Sequence, residues 1–131
     1  MRQLGDLEAA VMDRLWLWRR PTTVREVLED LAPERKLAYT TIMTVMDNLH
    51  RKGLLTREQD GRAYRYSTVR SRSEHTADLI ASVLAKSDDR TAPLLRFVER
   101  LNPDEVARLR ASLEALEAAS APDKGTPAGR R

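Results

Sequence analysis

The amino-acid order predicts a mainly α-helical fold carrying one small β-hairpin, and three observations predict it. Apolar residues recur at helical spacing in three successive segments up to residue 52. An Asp-Gly pair then separates two short extended runs, and beyond Val69 the pattern is helical only. The chain has 131 residues, 41% apolar and 33% charged, a mix that builds one compact core with an extension.

The first helix is expected from Asp6 to Arg19, because Leu4, Leu7, Val11, Leu15 and Trp18 share a face, Asp6 can cap the start and Pro21 stops it. A second runs from Thr23 to Leu31, capped by Thr22 or Thr23, with Val24, Val27, Leu28 and Leu31 inward and Pro33 after it. A third, Tyr39 to Lys52, puts Ile42, Val45, Met46 and Leu49 on one stripe and ends at Gly53. Runs Leu54 to Gln59 and Arg62 to Ser67 flank Asp60 and Gly61. A two-residue turn there pairs Gln59 with Arg62, Arg57 with Tyr64 and Leu55 with Tyr66, the last two pointing at the core. Three helices followed by a basic hairpin is the order of a winged helix-turn-helix, here residues 1–70.

The excess of positive charge is confined to that part. Residues 1–70 carry a net +3 and residues 71–131 none, and Asn48 to Arg72 holds Arg51, Lys52, Arg57, Arg62, Arg65, Arg70 and Arg72 against only Glu58 and Asp60. Such a segment suits a nucleic-acid backbone, although a solvated basic face reads the same from charge alone. With the third helix in a major groove, Arg51, Lys52, Arg57 and Arg62 fall to phosphates. Tyr39, Thr40, Thr41, Met43, Thr44, Asp47 and Asn48 lie on the outward face for base edges. Thr and Met methyls suit thymine, Asn48 an adenine edge; Asp47 accepts from cytosine or holds a neighbouring arginine.

Residues 71–118 are expected to be a helical dimerisation domain. Leu79, Ile80, Val83 and Leu84 share one face, Phe97 and Val98 belong to a short second helix, and Asn102, Pro103 and Glu105 form a capped start for a third. In that third helix Val106, Leu109, Leu113 and Leu116 step by 3, 4 and 3, a narrow seam that suits a second copy of the chain better than packing back on the first domain. Residues 119–131, rich in Ala, Gly and Pro, are expected to be a disordered tail.

Zero cysteines exclude disulfides and thiolate metal sites, and His50 and His75 are the only histidines. With no phosphate loop and no nucleophile motif either, neither enzyme, metal nor cofactor is expected. No apolar run suits a membrane span and no N-terminal stretch a secretory signal, so a cytoplasmic location is expected.

Leu4-Gly5-Asp6-Leu7-Glu8 with Val11-Met12 and Leu15-Trp16, Tyr39-Thr40-Thr41-Ile42-Met43-Thr44-Val45, Lys52-Gly53, Tyr64-Arg65-Tyr66 and Phe97-Val98-Glu99 together resemble the penicillinase-repressor family, the repressors of β-lactamase and methicillin-resistance operons with their copper-responsive relatives. The resemblance implies a dimeric repressor on dyad operators of TACA/TGTA type, released when a membrane sensor metalloprotease cuts it in the dimerisation region, here at Arg96-Phe97. The best-known members have Asn before that Phe, and several carry Arg at the position of Asn48. The copper-responsive branch ends in cysteines that this chain lacks. The competing readings are a winged-helix protein-protein adaptor and a small-molecule-sensing regulator.

Overall fold

In a computed structural model of the chain, which describes residues 3–120, the elements follow in the order α1 (Asp6–Trp18), α2 (Val24–Leu31), α3 (Tyr39–Arg51), β1 (Leu55–Asp60), β2 (Ala63–Thr68), α4 (Arg72–Ala85), α5 (Thr91–Val98) and α6 (Pro103–Ser120). The chain divides into two compact units, Met1–Val83 and Leu84–Arg131.

The core of the first unit is built on α3, whose inner stripe Ile42, Met46 and Leu49 is fully buried. Against it pack Val11, Met12 and Leu15 of α1, Val24, Val27 and Leu31 of α2, and Leu54, Leu55 and Tyr66 at the base of the hairpin. Each such side chain contributes about 1.5 to 3 kcal/mol by leaving water. Local chemistry fixes where the helices begin and end. Thr23 Oγ1 accepts from the Glu26 N–H at 3.2 Å and Glu26 reaches back to the Thr23 N–H at 2.9 Å, which settles the α2 cap on Thr23. At the end of α3, Gly53 takes φ +83°, the Leu54 N–H donates to the Leu49 carbonyl at 3.0 Å and the Gly53 N–H to His50 at 3.0 Å, so two otherwise orphaned carbonyls are satisfied.

Two expectations are corrected here. Asp6 does not cap α1: Gly5 is the cap and Asp6 the first helical residue, because Glu8 accepts from the Gly5 N–H at 3.1 Å. The hairpin register also slides by two residues. Asp60 pairs with Ala63, Gln59 with Tyr64, Arg57 with Tyr66 and Leu55 with Thr68, so the turn is Gly61-Arg62 rather than Asp60-Gly61. Gly61 at the first central position, with φ +65°, suits a turn that needs a left-handed residue there. Asp60 stays in the strand and accepts from Arg65 at 2.6 Å. Because the slide is an even number, the faces are kept, and Leu55 and Tyr66 are both buried.

One feature has no periodic signal in the sequence. Thr22, fully buried between α1 and α2, exchanges both backbone hydrogen bonds with Tyr66, at 2.9 and 2.8 Å, as a one-residue third strand on the edge of the hairpin. The first turn of α4 is fastened to α1: the Trp16 indole donates to the Arg70 carbonyl at 3.0 Å, Arg72 pairs with Asp13 at 2.8 Å, and the buried His75 ring lies 5.3 Å from that of Trp16. The compact unit therefore extends past residue 70 into α4.

In the second unit, Asp89 Oδ1 accepts from the Thr91 N–H at 2.9 Å at the start of α5. Asn102 and Glu105 cap α6 reciprocally at 2.8 and 3.0 Å. Leu94, Leu95 and Phe97 of α5 and Leu113 and Leu116 of α6 are exposed, as are Ile80 and Val83 of α4 in the first unit. Val98, Val106 and Leu109 are half-buried. Residues 121–131, the greater part of the expected disordered tail, lie outside the described residues, and 119 and 120 complete α6. Among the described residues no helix is long and apolar enough to cross a membrane.

Truncating the middle of this core, Leu49→Ala, is expected to cost about 2 to 5 kcal/mol of unfolding free energy, measured by urea denaturation. A second expectation concerns acid. The carboxyls of Glu8, Glu26 and Glu74 lie below their ordinary value of 4.5, held there first by the Lys52 ammonium, the Thr23 N–H and the Ser71 N–H respectively. Groups that bind protons less readily when folded contribute stability that is complete above pH about 4.5 and lost as pH falls through their folded values. Glu8→Gln should lower stability at pH 7 by about 1 kcal/mol, and the loss should shrink as pH falls below the ordinary carboxyl range; a loss that does not change with pH would refute the assignment.

Candidate nucleic-acid interface

Burying Ile42, Met46 and Leu49 turns the rest of α3 outward, since residues three and four apart share a face. Tyr39, Thr40, Thr41, Met43, Thr44 and Arg51 are exposed, and Asp47 and Asn48 are half-buried. Every member of the outward set expected from the sequence therefore stands on one accessible side of the helix or at its margin.

The cations behave differently from their reading as a free basic patch. Asp47 accepts from Arg51 at 2.5 Å and from Arg57 of β1 at 3.0 Å, while Lys52 donates to Glu8 at 2.6 Å. Arg65 is held by Asp60 and Glu26, Arg70 by Asp78 and Arg72 by Asp13. Of the basic residues concentrated between Asn48 and Arg72, Arg62 alone carries no ion pair among the described residues, and it sits in the turn at the wing tip. Of the two roles open to Asp47, holding a neighbouring arginine is the one its geometry adopts.

Arg57 lies over the Tyr64 ring, its guanidinium carbon 4.1 Å from the ring centroid, a diagonal contact across the hairpin. Its guanidinium is held above its ordinary range first by the Tyr66 hydroxyl, against an opposing effect of burial, with smaller contributions from Tyr64 and Asp47. It stays charged at any pH at which a duplex is intact.

Sequence patterning missed three further cations beside α3. Arg25, in the first turn of α2, stacks over the Tyr39 ring at 5.6 Å, and Arg35 and Lys36 lie in the segment that leads into α3. None of the three is in an ion pair among the described residues. Arg25 was findable from its place two residues after the Thr23 cap, where a helix N-terminus already favours anions. Among the described residues no group of His, Asp and Glu is arranged to hold a metal.

Comparison with known proteins places these features in a family. The penicillinase repressor family model matches residues 4–115. The transcriptional regulator BlaI of Mycobacterium tuberculosis is 48% identical over 121 residues, covering 90% of this chain and 88% of its own. The methicillin resistance regulatory protein MecI of Mammaliicoccus sciuri is 23% identical, covering 82% of this chain and 90% of its own. Among solved structures, the DNA-binding domain of the repressor BlaI aligns with a TM-score of 0.49 and 28% identity, over 55% of this chain and 87% of that one. The first of these relatives is a transcriptional regulator and the second a regulatory protein of methicillin resistance. The chain belongs to the penicillinase repressor family.

Proposed function

We propose that this chain is a cytoplasmic, dimeric repressor that binds double-stranded DNA with α3 in the major groove and the wing over the neighbouring backbone. One observation carries the reading: an exposed face of α3 bearing methyl and short polar groups, bordered by cations that no carboxylate neutralises, Arg25, Arg35, Lys36 and Arg62. On this reading Thr40, Thr41, Met43, Thr44 and Asn48 meet base edges, and the unpaired cations, with Tyr39, meet phosphates. Arg51, Lys52 and Arg57 serve as well, through N–H donors that their ion pairs leave over.

Base contacts contribute about 1 to 3 kcal/mol each, and this face offers few bidentate partners. A second copy supplies the rest. The exposed Ile80 and Val83 of α4, Phe97 of α5 and Leu113 and Leu116 of α6, with the half-buried Leu79, Leu84, Val98, Val106 and Leu109 beside them, support a homodimer on a dyad operator. Release by a membrane sensor metalloprotease would act at Arg96-Phe97, in the last turn of α5, where both side chains are exposed and the turn must open to enter a protease cleft.

A second reading, a regulator that senses a small organic anion, is favoured by one feature. An open cleft of about 840 Å³ between the end of α1 and the chain running from β2 into α4 is lined by Arg19, Arg20, Arg70 and Arg72, of which Arg19 alone carries no ion pair among the described residues. A panel of aromatic and aliphatic carboxylates that raised Tm and weakened DNA binding would favour it.

Affinity for a duplex selected from a random pool should fall with salt at a slope near −0.9 per phosphate neutralised, and Arg25→Ala or Arg62→Ala should each flatten that slope by about one contact while leaving base preference intact. A salt-independent interaction would point to a protein adaptor instead. Leu109→Asp is expected to shift the sedimenting species from dimer to monomer and to weaken operator binding more than tenfold; a variant that stays dimeric and binds as before would remove the helical seam from the account.

A further inference from the structure

The proposed interface holds one group that is out of place against a polyanion. Asp47 lies on α3 between the outward residues Thr44 and Arg51, yet a free carboxylate there would repel phosphate. Its oxygens are both occupied: Oδ2 accepts from Arg51 at 2.5 Å and Oδ1 from Arg57 at 3.0 Å. Each oxygen keeps a second lone pair, so a cytosine amino group reaching Asp47 would share an oxygen with a guanidinium already on it and add a weaker bond to a charge-assisted one.

The second partner is the informative one. Arg51 lies one turn along the same helix, but Arg57 belongs to β1, so its bond to Asp47 ties the wing to α3. Arg57 is stacked on Tyr64 at 4.1 Å. Tyr64 meets Tyr66 edge-on with ring centroids 6.4 Å apart, and Tyr66 is buried and hydrogen-bonded to Thr22. A continuous run of contacts thus leads from the core through the wing to the outward side of α3. The wing needs such a tether, because its outer part, Arg57 to Arg65, contributes no residue to the buried core. Its other face has a longer one, Arg65 to Glu26 of α2 at 3.7 Å.

We propose that Asp47 is a positioning residue: it reads no base, fixes the angle of the wing to α3, and keeps the Arg51 and Arg57 guanidiniums at a set spacing for the DNA backbone. This rests on the reading of α3 and the wing as a DNA interface. A tether formed before binding removes an ordering cost from the specific complex, whereas a wrong duplex gains the same charge either way, so the tether acts on discrimination more than on total affinity.

The test compares the full-length protein and Asp47→Asn on two probes, a duplex selected by the wild-type chain from a random pool and a scrambled duplex of equal length. Asp47→Asn removes the negative charge, frees one guanidinium outright and leaves the other only a neutral carbonyl acceptor. Binding to the scrambled duplex should therefore hold or tighten and its salt dependence steepen, while the preference for the selected duplex falls about three- to tenfold. Tyr64→Leu, which leaves every charge in place but takes away the platform under Arg57, should lower the preference without steepening the salt dependence. The double variant should be no worse than the poorer single one. Matching Tm values separate these effects from a general loss of fold. Preference retained in Asp47→Asn, losses that add in the double variant, or a change confined to one base pair on renewed selection would each overturn the proposal while leaving the DNA reading intact. A wild-type chain that prefers no duplex would overturn both.

Discussion

The rotation of α3 about its own axis is the constraint on which the rest of the first unit depends. Ile42, Met46 and Leu49 are each fully buried, and they set that rotation as one stripe fitted between α1, α2 and the base of the hairpin. Each residue along a helix advances about 100°, so shifting the stripe by a single position would carry Met43 inward and turn a different set of side chains to solvent. The helix is also fixed lengthwise. Gly53 closes its end through paired backbone hydrogen bonds, and Lys52 reaches Glu8 at the start of α1, so the outward residues are held in position as well as in direction.

This stripe was legible in the sequence because it obeys a local rule. Spacing of three and four, a glycine after the last periodic residue and the Thr23 to Glu26 capping pair are all contained within a few residues of chain. The hairpin was legible in existence but not in register. The same glycine permits two turns, and the pairing of Asp60 with Arg65 helps keep Asp60 in the strand. The slip did no harm to the assignment of faces because side chains alternate with period two and the slide was by two. Thr22 was not legible at all. A strand of one residue has no period, and it is defined by a partner 44 positions away.

Charge shows the same division between local and distant information. The basic segment between Asn48 and Arg72 was counted correctly, yet most of its cations are neutralised by acids elsewhere in the chain. Arg51 with Asp47 is an i, i+4 pair that a helix makes visible in advance. Lys52 with Glu8, Arg72 with Asp13 and Arg65 with Glu26 join segments that only the fold brings together. Arg25, by contrast, stands alone in the sequence and gains its place by stacking on Tyr39. The composition of a segment therefore marks where basic residues gather, while which of them stay unpaired is decided by acids that only the fold brings near.

The uncovered helices bear on the same question from the opposite end of the chain. Leu94, Leu95, Phe97, Leu113 and Leu116 are ordinary core residues left in contact with water, in a unit whose helix starts are capped as carefully as those of the first. Exposed apolar surface of this kind costs about 25 cal/mol per Å² relative to burial, so a partner that covers it gains stability without any new chemistry. The first unit has the reverse economy: it is well packed inside, but its outward face carries short side chains that discriminate weakly one at a time. On the proposed reading each half answers the need of the other. Covering the helical faces joins two copies, and joining them turns two weak half-site contacts into one binding event whose second half is intramolecular.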